Sequence, residues 1–228
     1  MKNSVIREAF YRSLPVMVGY LIIGFGFGMV LRNAGCGLPW ALAMSLFIYA
    51  GSMQYVGISL ITAPASLLTA AVTTLMINAR HLFYSISMIK KYQGTGVLKP
   101  YLIFALTDET YALLSGEENH REDYPVFCFF VSLFNHLYWI LGTALGSLFS
   151  AVLPFSTAGV EFSMTALFVS AYTEQWISGN HRPSAVLGLL VTLLARLLFG
   201  RDLFLIPSMV LITVFLLLLR KPLQKEEP

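Results

Sequence analysis

Two adjacent carboxylates, Asp108 and Glu109, stand in "ALTDETYALL" (105–114), inside a run that otherwise reads as membrane-buried. A charged side chain at the bilayer centre costs roughly 2.5–3.5 kcal/mol, so at least one of the pair is expected to be protonated or paired. Adjacent helical positions point about 100° apart, so one carboxylate can face a cavity while the other pairs with Arg80 or Arg201. Desolvation favours the neutral form of a carboxyl group, which makes each a candidate for gaining and losing a proton. We expect Asp108 to take that part and Glu109 to act through packing or a static ion pair. The bland alternative puts both at headgroup depth.

Upstream, "INARHLFYS" (77–85) places Asn78, Arg80 and His81 between two apolar pieces. A guanidinium there can fork onto a ligand carboxylate, or it can snorkel to the headgroups. His81, with an ordinary imidazole pKa of about 6.5, is a possible proton relay or a plain hydrogen-bonding residue. In "IYAGSMQYVG" (48–57), Gly51 and Ser52 interrupt an apolar span next to Gln54. Such a break frees backbone groups that protein, water or a ligand must then satisfy. It is read either as a substrate-lining turn or as a packed kink. The candidate substrate-binding residues are thus Gln54, Asn78, Arg80 and, by the repeat described below, Gln175; the candidate proton-coupling residues are Asp108, Glu109 and His81. An intramembrane enzyme is the competing class, but there is no GxSxG or HExxH, and His81, His120, His136 and His181 are scattered. Cys36 and Cys128 have no metal-ligand spacing. Nothing calls for a cofactor or a metal.

The elements that must position these residues follow from composition. Of 228 residues only 12% are charged and 57% are hydrophobic, against roughly 25% charged in a soluble domain. Residues 33–79 and 124–160 contain no Asp, Glu, Lys or Arg, and each stretch exceeds the roughly 20 residues of one crossing. The basic residues sit singly at span ends, as membrane flanks do, which sets nucleic acid aside. The chain is therefore expected to be an all-α, polytopic membrane protein, a single domain of about seven or eight transmembrane segments with broken or half helices. Candidate spans are 14–31, 38–61, 66–79, 81–89, 100–115, 124–153, 159–177, 183–200 and 203–220. The 81–89 piece is too short to cross alone, so it is a half-helix, a re-entrant segment or the continuation of its neighbour.

A fixed shift of 121 residues aligns "LFIYAGSMQY" with "LFVSAYTEQW" and "RHLFYSISM" with "RDLFLIPSM", giving ten identities over residues 38–90. It pairs Gln54 with Gln175 and Arg80 with Arg201. The preceding spans correspond loosely through Gly24/Gly28 and Gly142/Gly146, both with the GxxxG spacing that lets helices approach closely. This suggests repeats over about 14–90 and 135–211, joined by a connector helix over about 100–115, with the two glutamines meeting near the bilayer centre. Internal repeats with broken helices are a transporter plan, with the site at the midplane. Setting Lys90, Lys91 and Lys99 inside and the acidic 117–123 stretch outside makes the connector cross and invert the second repeat, but leaves Arg220, Lys221 and Lys225 outside against the positive-inside trend, so inverted and parallel repeats both stay open.

Read together, "YAGSMQY", "INARHLFYSISM", "LTDETYAL" and "WILGTALG" resemble, in order and spacing, the AzlC family, the large subunit of bacterial branched-chain amino-acid exporters. The resemblance runs from about Phe10 to Leu218, with departures at Met53, Tyr55 and Ala79 that bear on pocket size. It implies a proton-coupled or exchange-type exporter of valine, leucine or isoleucine in the bacterial inner membrane, working with a small hydrophobic AzlD-type subunit. A transporter of another amino acid or amphiphile, or an accessory subunit without transport, stays open.

Overall fold

The computed structural model describes residues 2–63, 65–116, 123–152, 169, 172–173, 176 and 182–218, with the backbone alone at 2, 3, 83, 201–203, 205, 206, 209 and 217. Among them every extended element is a helix: α1 (Lys2–Asn33), α2 (Leu38–Phe47), α3 (Gly51–Thr62), α4 (Leu67–Met88), α5 (Lys99–Phe104), α6 (Asp108–Ser115), α7 (Tyr124–Val152), α8 (Arg182–Leu203) and α9 (Leu205–Leu218). A bilayer selects this architecture because helices satisfy their backbone internally. Three stretches are long and apolar enough to cross it by length and composition: Ser4–Asn33, Tyr124–Val152 and Arg182–Gly200.

The scaffold is α1 against α7. A Cβ on Gly24 would lie 3.1 Å from the Trp139 carbonyl oxygen, and one on Gly28 2.1 Å from that of Thr143; a Cβ on Gly142 would lie 2.9 Å from the Leu21 oxygen, and one on Gly146 1.9 Å from that of Phe25. The two helices therefore touch backbone to backbone, and only glycine fits. The contacts are reciprocal, since 118 residues separate Gly24 from Gly142, Leu21 from Trp139, Gly28 from Gly146 and Phe25 from Thr143. Ser13 to Tyr138 and Asn33 to Ser150 continue the contact in the same direction along both helices. Thus α1 and α7 run parallel, which sets aside the inverted relation for the two glycine-rich helices.

Between them the chain makes two broken pairs. α2 starts with Pro39 in its first turn, where a missing N–H costs nothing, and ends at Tyr49, whose φ of 44° no helix accommodates. α3 then turns back along α1: Tyr49 packs on Tyr20, and Tyr55 packs on Phe27 and donates to the Ile23 carbonyl. Likewise α5 starts with Pro100 in its first turn. The chain breaks at 105–107, and α6 starts at the Thr107 cap, whose hydroxyl accepts from the Thr110 amide. Moving along α6, the neighbours pass from Arg80 to Ser87 on α4 and then to Lys91 just beyond its end.

The connector expected as one crossing helix over 100–115 is therefore two pieces that fold back. Leu102, Leu114, Tyr124 and Phe127 share one buried cluster with Val5, Ala9, Met88 and Tyr92. Asp123 thus leaves from the same end of the molecule as Lys90, not the opposite one. The reason is local: α6 is 8 residues long, about 12 Å at 1.5 Å per residue, against a hydrocarbon core of about 30 Å. For 66–89, the continuation reading holds, because α4 runs unbroken through Asn78, Arg80 and His81.

Candidate functional site

The tips of the two broken pairs meet in mid-molecule, where the Tyr49 ring lies 6.2 Å from that of Phe104. Gly51 opens α3 after the Ala50 cap, and Asp108 opens α6 after the Thr107 cap. Arg80 on α4 joins the two openings, at the second residue of α3 and the first of α6: its Nη2 donates to Ser52 Oγ at 2.6 Å and its Nη1 lies 3.1 Å from Asp108 Oδ2. Tyr84, one turn on, also donates to Asp108. This is why two carboxylates sit in a greasy stretch. They occupy the first turn of a half-helix, where the helix dipole favours negative charge, and Asp108 has a guanidinium besides.

Glu109 has a different environment. The Tyr20 hydroxyl donates to its Oε2 at 2.6 Å, and a chain of hydroxyls continues from Tyr20 to Thr107 at 2.7 Å and to Thr110 at 3.0 Å. The Asn135 amide donates to Thr110 at 3.0 Å and closes the chain. The Glu109 end of the chain can point either way: a carboxylate accepts the hydrogen bond from the Tyr20 hydroxyl, whereas a carboxylic acid donates to Tyr20, which turns to Thr107.

Both carboxylates line a cavity of about 50 Å³ with Tyr20, Ile23, Tyr49, the 50–52 backbone, Arg80, His81, Thr107 and Trp139. That volume holds a few waters but not a whole branched-chain amino acid. His81 lies on the wall, its Nδ1 3.2 Å from the Asn78 carbonyl oxygen. Asn78 itself is not on the wall, because two residues along a helix turn it about 200° from Arg80.

Gln54 is a correction. Fully buried, it accepts from Trp139 Nε1 at 2.9 Å and donates to Ser45 Oγ at 3.5 Å, so it sits behind the cavity and fixes the Trp139 ring that covers Gly51. Gln175 and the Arg201 side chain lie outside the described residues, as does their expected meeting with Gln54 and Arg80. Among the described residues no group of His, Cys, Asp and Glu could hold a metal ion.

A family model described as AzlC protein matches residues 15–153, which includes every lining residue of this cavity. The chain belongs to the AzlC family. It is 40% identical over 230 residues to the branched-chain amino acid transport protein AzlC of Bacillus subtilis, covering 98% of this chain and 89% of that one. An uncharacterized membrane protein of Helicobacter pylori is 40% identical over 96% of both chains, and the inner membrane protein YgaZ of Escherichia coli 28% identical over 74% of this chain and 72% of that one. No solved structure matches. With a transport family shown and relatives named as membrane proteins, the chain is an α-helical membrane protein and not an enzyme of a known intramembrane class.

Several members of this AzlC site were not singled out from the sequence. They are Tyr20, Tyr49, Thr107 and Trp139. His136, left without a primary role, stacks on Tyr49 at 4.1 Å between ring centroids; its Nε2 donates to the Ser45 carbonyl and its Nδ1 then accepts from Tyr101.

Proposed function

We propose that this chain is the large subunit of a proton-coupled exporter of valine, leucine and isoleucine in the bacterial inner membrane. The observation that carries it is the small cavity between two broken helix pairs, with a guanidinium, two differently held carboxylates and apolar or aromatic walls. A zwitterion with an apolar side chain needs those groups and no others. The name of the Bacillus subtilis relative supports the substrate class. Arg80 clamps the two tips, and the cavity is too small for the whole substrate, so transport requires the tips to separate.

In this reading Glu109 takes the substrate ammonium and the coupling proton. The charged and titratable groups around it are Asp108 beside it, Arg80 and His81 on α4, Tyr20 on α1 and Tyr49 at the tip of α2; Asp108 already has Arg80. The Tyr20 hydroxyl lets Glu109 change protonation while keeping a hydrogen bond, the loss of which costs about 1–3 kcal/mol for a buried group. The sequence-based expectation assigned this part to Asp108. A small hydrophobic AzlD-type subunit completes the transporter. Counterflow of radiolabelled amino acids in proteoliposomes containing both chains tests the proposal. Exchange of leucine, isoleucine and valine but not of lysine or glutamate is expected; exchange confined to another solute class, or none, overturns it.

A further inference from the structure

The cavity wall has two chemically different sides. α4 and the opening of α6 supply its charged groups, Arg80, Asp108 and Glu109, whereas Ile23 of α1, the Trp139 ring of α7 and Gly51 at the tip present carbon. Ile23 is buried between Tyr20 and Phe27, and the spacing of three and four residues puts all of them on one face of α1. The Trp139 ring is fixed on several sides. It stacks on Phe27 at 6.3 Å between ring centroids, meets Tyr20 edge-on at 5.5 Å and donates its Nε1 proton to Gln54 at 2.9 Å. Its far edge covers Gly51, where a Cβ would stand 3.0 Å from the ring.

Ile23 and Trp139 also flank the backbone contact of the two long helices. A Cβ on Gly24, the residue after Ile23, would lie 3.1 Å from the Trp139 carbonyl oxygen. The distance between the two side chains is therefore set by helices that touch backbone to backbone, and it stays fixed when the tips part to admit a substrate. The clamp that must release for the tips to part, Arg80 on Ser52 and Asp108, lies on the charged side. A wall that keeps its shape can select by size.

We propose that Ile23 and the Trp139 ring form the seat for the apolar side chain of the transported amino acid, and that the volume of Ile23 sets the upper size limit. This rests on the transport reading above. The zwitterionic end then faces the charged side of the cavity. A polar side chain in the seat finds no hydrogen bond, because the Trp139 Nε1 proton is already taken by Gln54, and a buried polar group without a partner is disfavoured.

The test varies side-chain size on both partners. Exchange of radiolabelled leucine in proteoliposomes containing the full-length chain and its partner subunit is inhibited by alanine, valine, leucine or phenylalanine, which carry the same zwitterion. One methylene in an apolar pocket is worth roughly 10–200-fold in discrimination, so wild type should prefer valine and leucine at least about tenfold over alanine and phenylalanine. Phenylalanine has three more side-chain carbons than leucine, the number that Ile23→Ala removes. That variant should raise phenylalanine relative to leucine at least about tenfold and leave alanine within about twofold. Ile23→Phe fills the seat and should lower leucine relative to alanine at least about tenfold. Trp139→Phe should shift the phenylalanine to leucine ratio in the same direction as Ile23→Ala. Ile23→Val, one carbon smaller, should shift it the same way by a smaller factor, and decides the matter if the larger changes do not fold. Opposite shifts from one position separate size selection from general damage. Unchanged ratios in the variants that fold, shifts of the same sign for Ile23→Ala and Ile23→Phe, or a wild type that takes phenylalanine as well as leucine overturn the seat and leave the transport reading standing. Failure of all three Ile23 variants to fold also overturns it, because Ile23 would then be a core residue. A wild-type complex that exchanges no leucine overturns both proposals.

Discussion

Replacing Gly146 with alanine measures whether α1 and α7 touch as described. The added Cβ would stand 1.9 Å from the Phe25 carbonyl oxygen and 2.6 Å from its carbon, both backbone atoms that cannot rotate away. Restoring ordinary contact at 3.4 Å requires the helices to part by about 1.5 Å. A gap of 0.5–1 Å already forfeits a quarter to a half of each van der Waals contact, and overpacking a tight interior costs about 1–3 kcal/mol. The upper end applies here, about 3 kcal/mol, equivalent to a fall of roughly 6–12 °C in apparent Tm for a chain of this size. Gly28→Ala, at 2.1 Å from the Thr143 oxygen, should behave similarly; Gly142→Ala and Gly24→Ala, at 2.9 and 3.1 Å, should cost less; Gly188→Ala, with nothing within 4 Å, should cost nothing. Thermal unfolding of the five variants in detergent gives the ranking directly. Transport should fall with it, because α1 carries Tyr20 and α7 carries Trp139 on the cavity wall. If Gly146→Ala and Gly188→Ala unfold at the same temperature, the backbone contact is refuted, and with it the placement of the cavity between these helices.

Glu109→Gln should abolish the stimulation of leucine uptake by an acid interior in inverted vesicles while keeping leucine exchange at uniform pH; a fully retained gradient response refutes Glu109 as the proton carrier. Asp108→Asn should keep the gradient response but slow transport. It removes one partner of an ion pair whose side chains are 27% and 30% exposed, so its stability cost should be about 1–2 kcal/mol, between the surface and buried limits. Arg80→Lys keeps the charge but cannot reach Ser52 and Asp108 together, so transport should drop at least tenfold with normal membrane insertion, and unchanged transport would refute the clamp. Trp139→Phe strands the Gln54 amide oxygen in the interior and should lower stability by about 1–3 kcal/mol, measurable as apparent Tm.

Sequence alone determined what depends on the solvent and on local spacing. The scarcity of charge required a bilayer, and a bilayer permits only helices or closed barrels; "IYAGSMQYVG" marked an interruption; the two GxxxG pairs marked close approach; and Arg80, Asp108 and Glu109 were legible because charge in such a stretch must have a reason. The tertiary structure decided what depends on the direction in which short pieces run. A half-helix of 8 residues has the same composition whether it crosses or folds back, so sequence could not tell that 99–115 returns to the Lys90 end, nor that α1 and α7 are parallel. The division of labour between Asp108 and Glu109 was equally hidden. Both carboxylates have the same local sequence, and only the 100° between adjacent helical positions turns one towards Arg80 of α4 and the other towards Tyr20 of α1. Gln54 was misplaced for the same reason: a polar residue in an apolar span must be satisfied, but whether by a substrate or by Trp139, 85 residues away, is settled by packing that no local window contains.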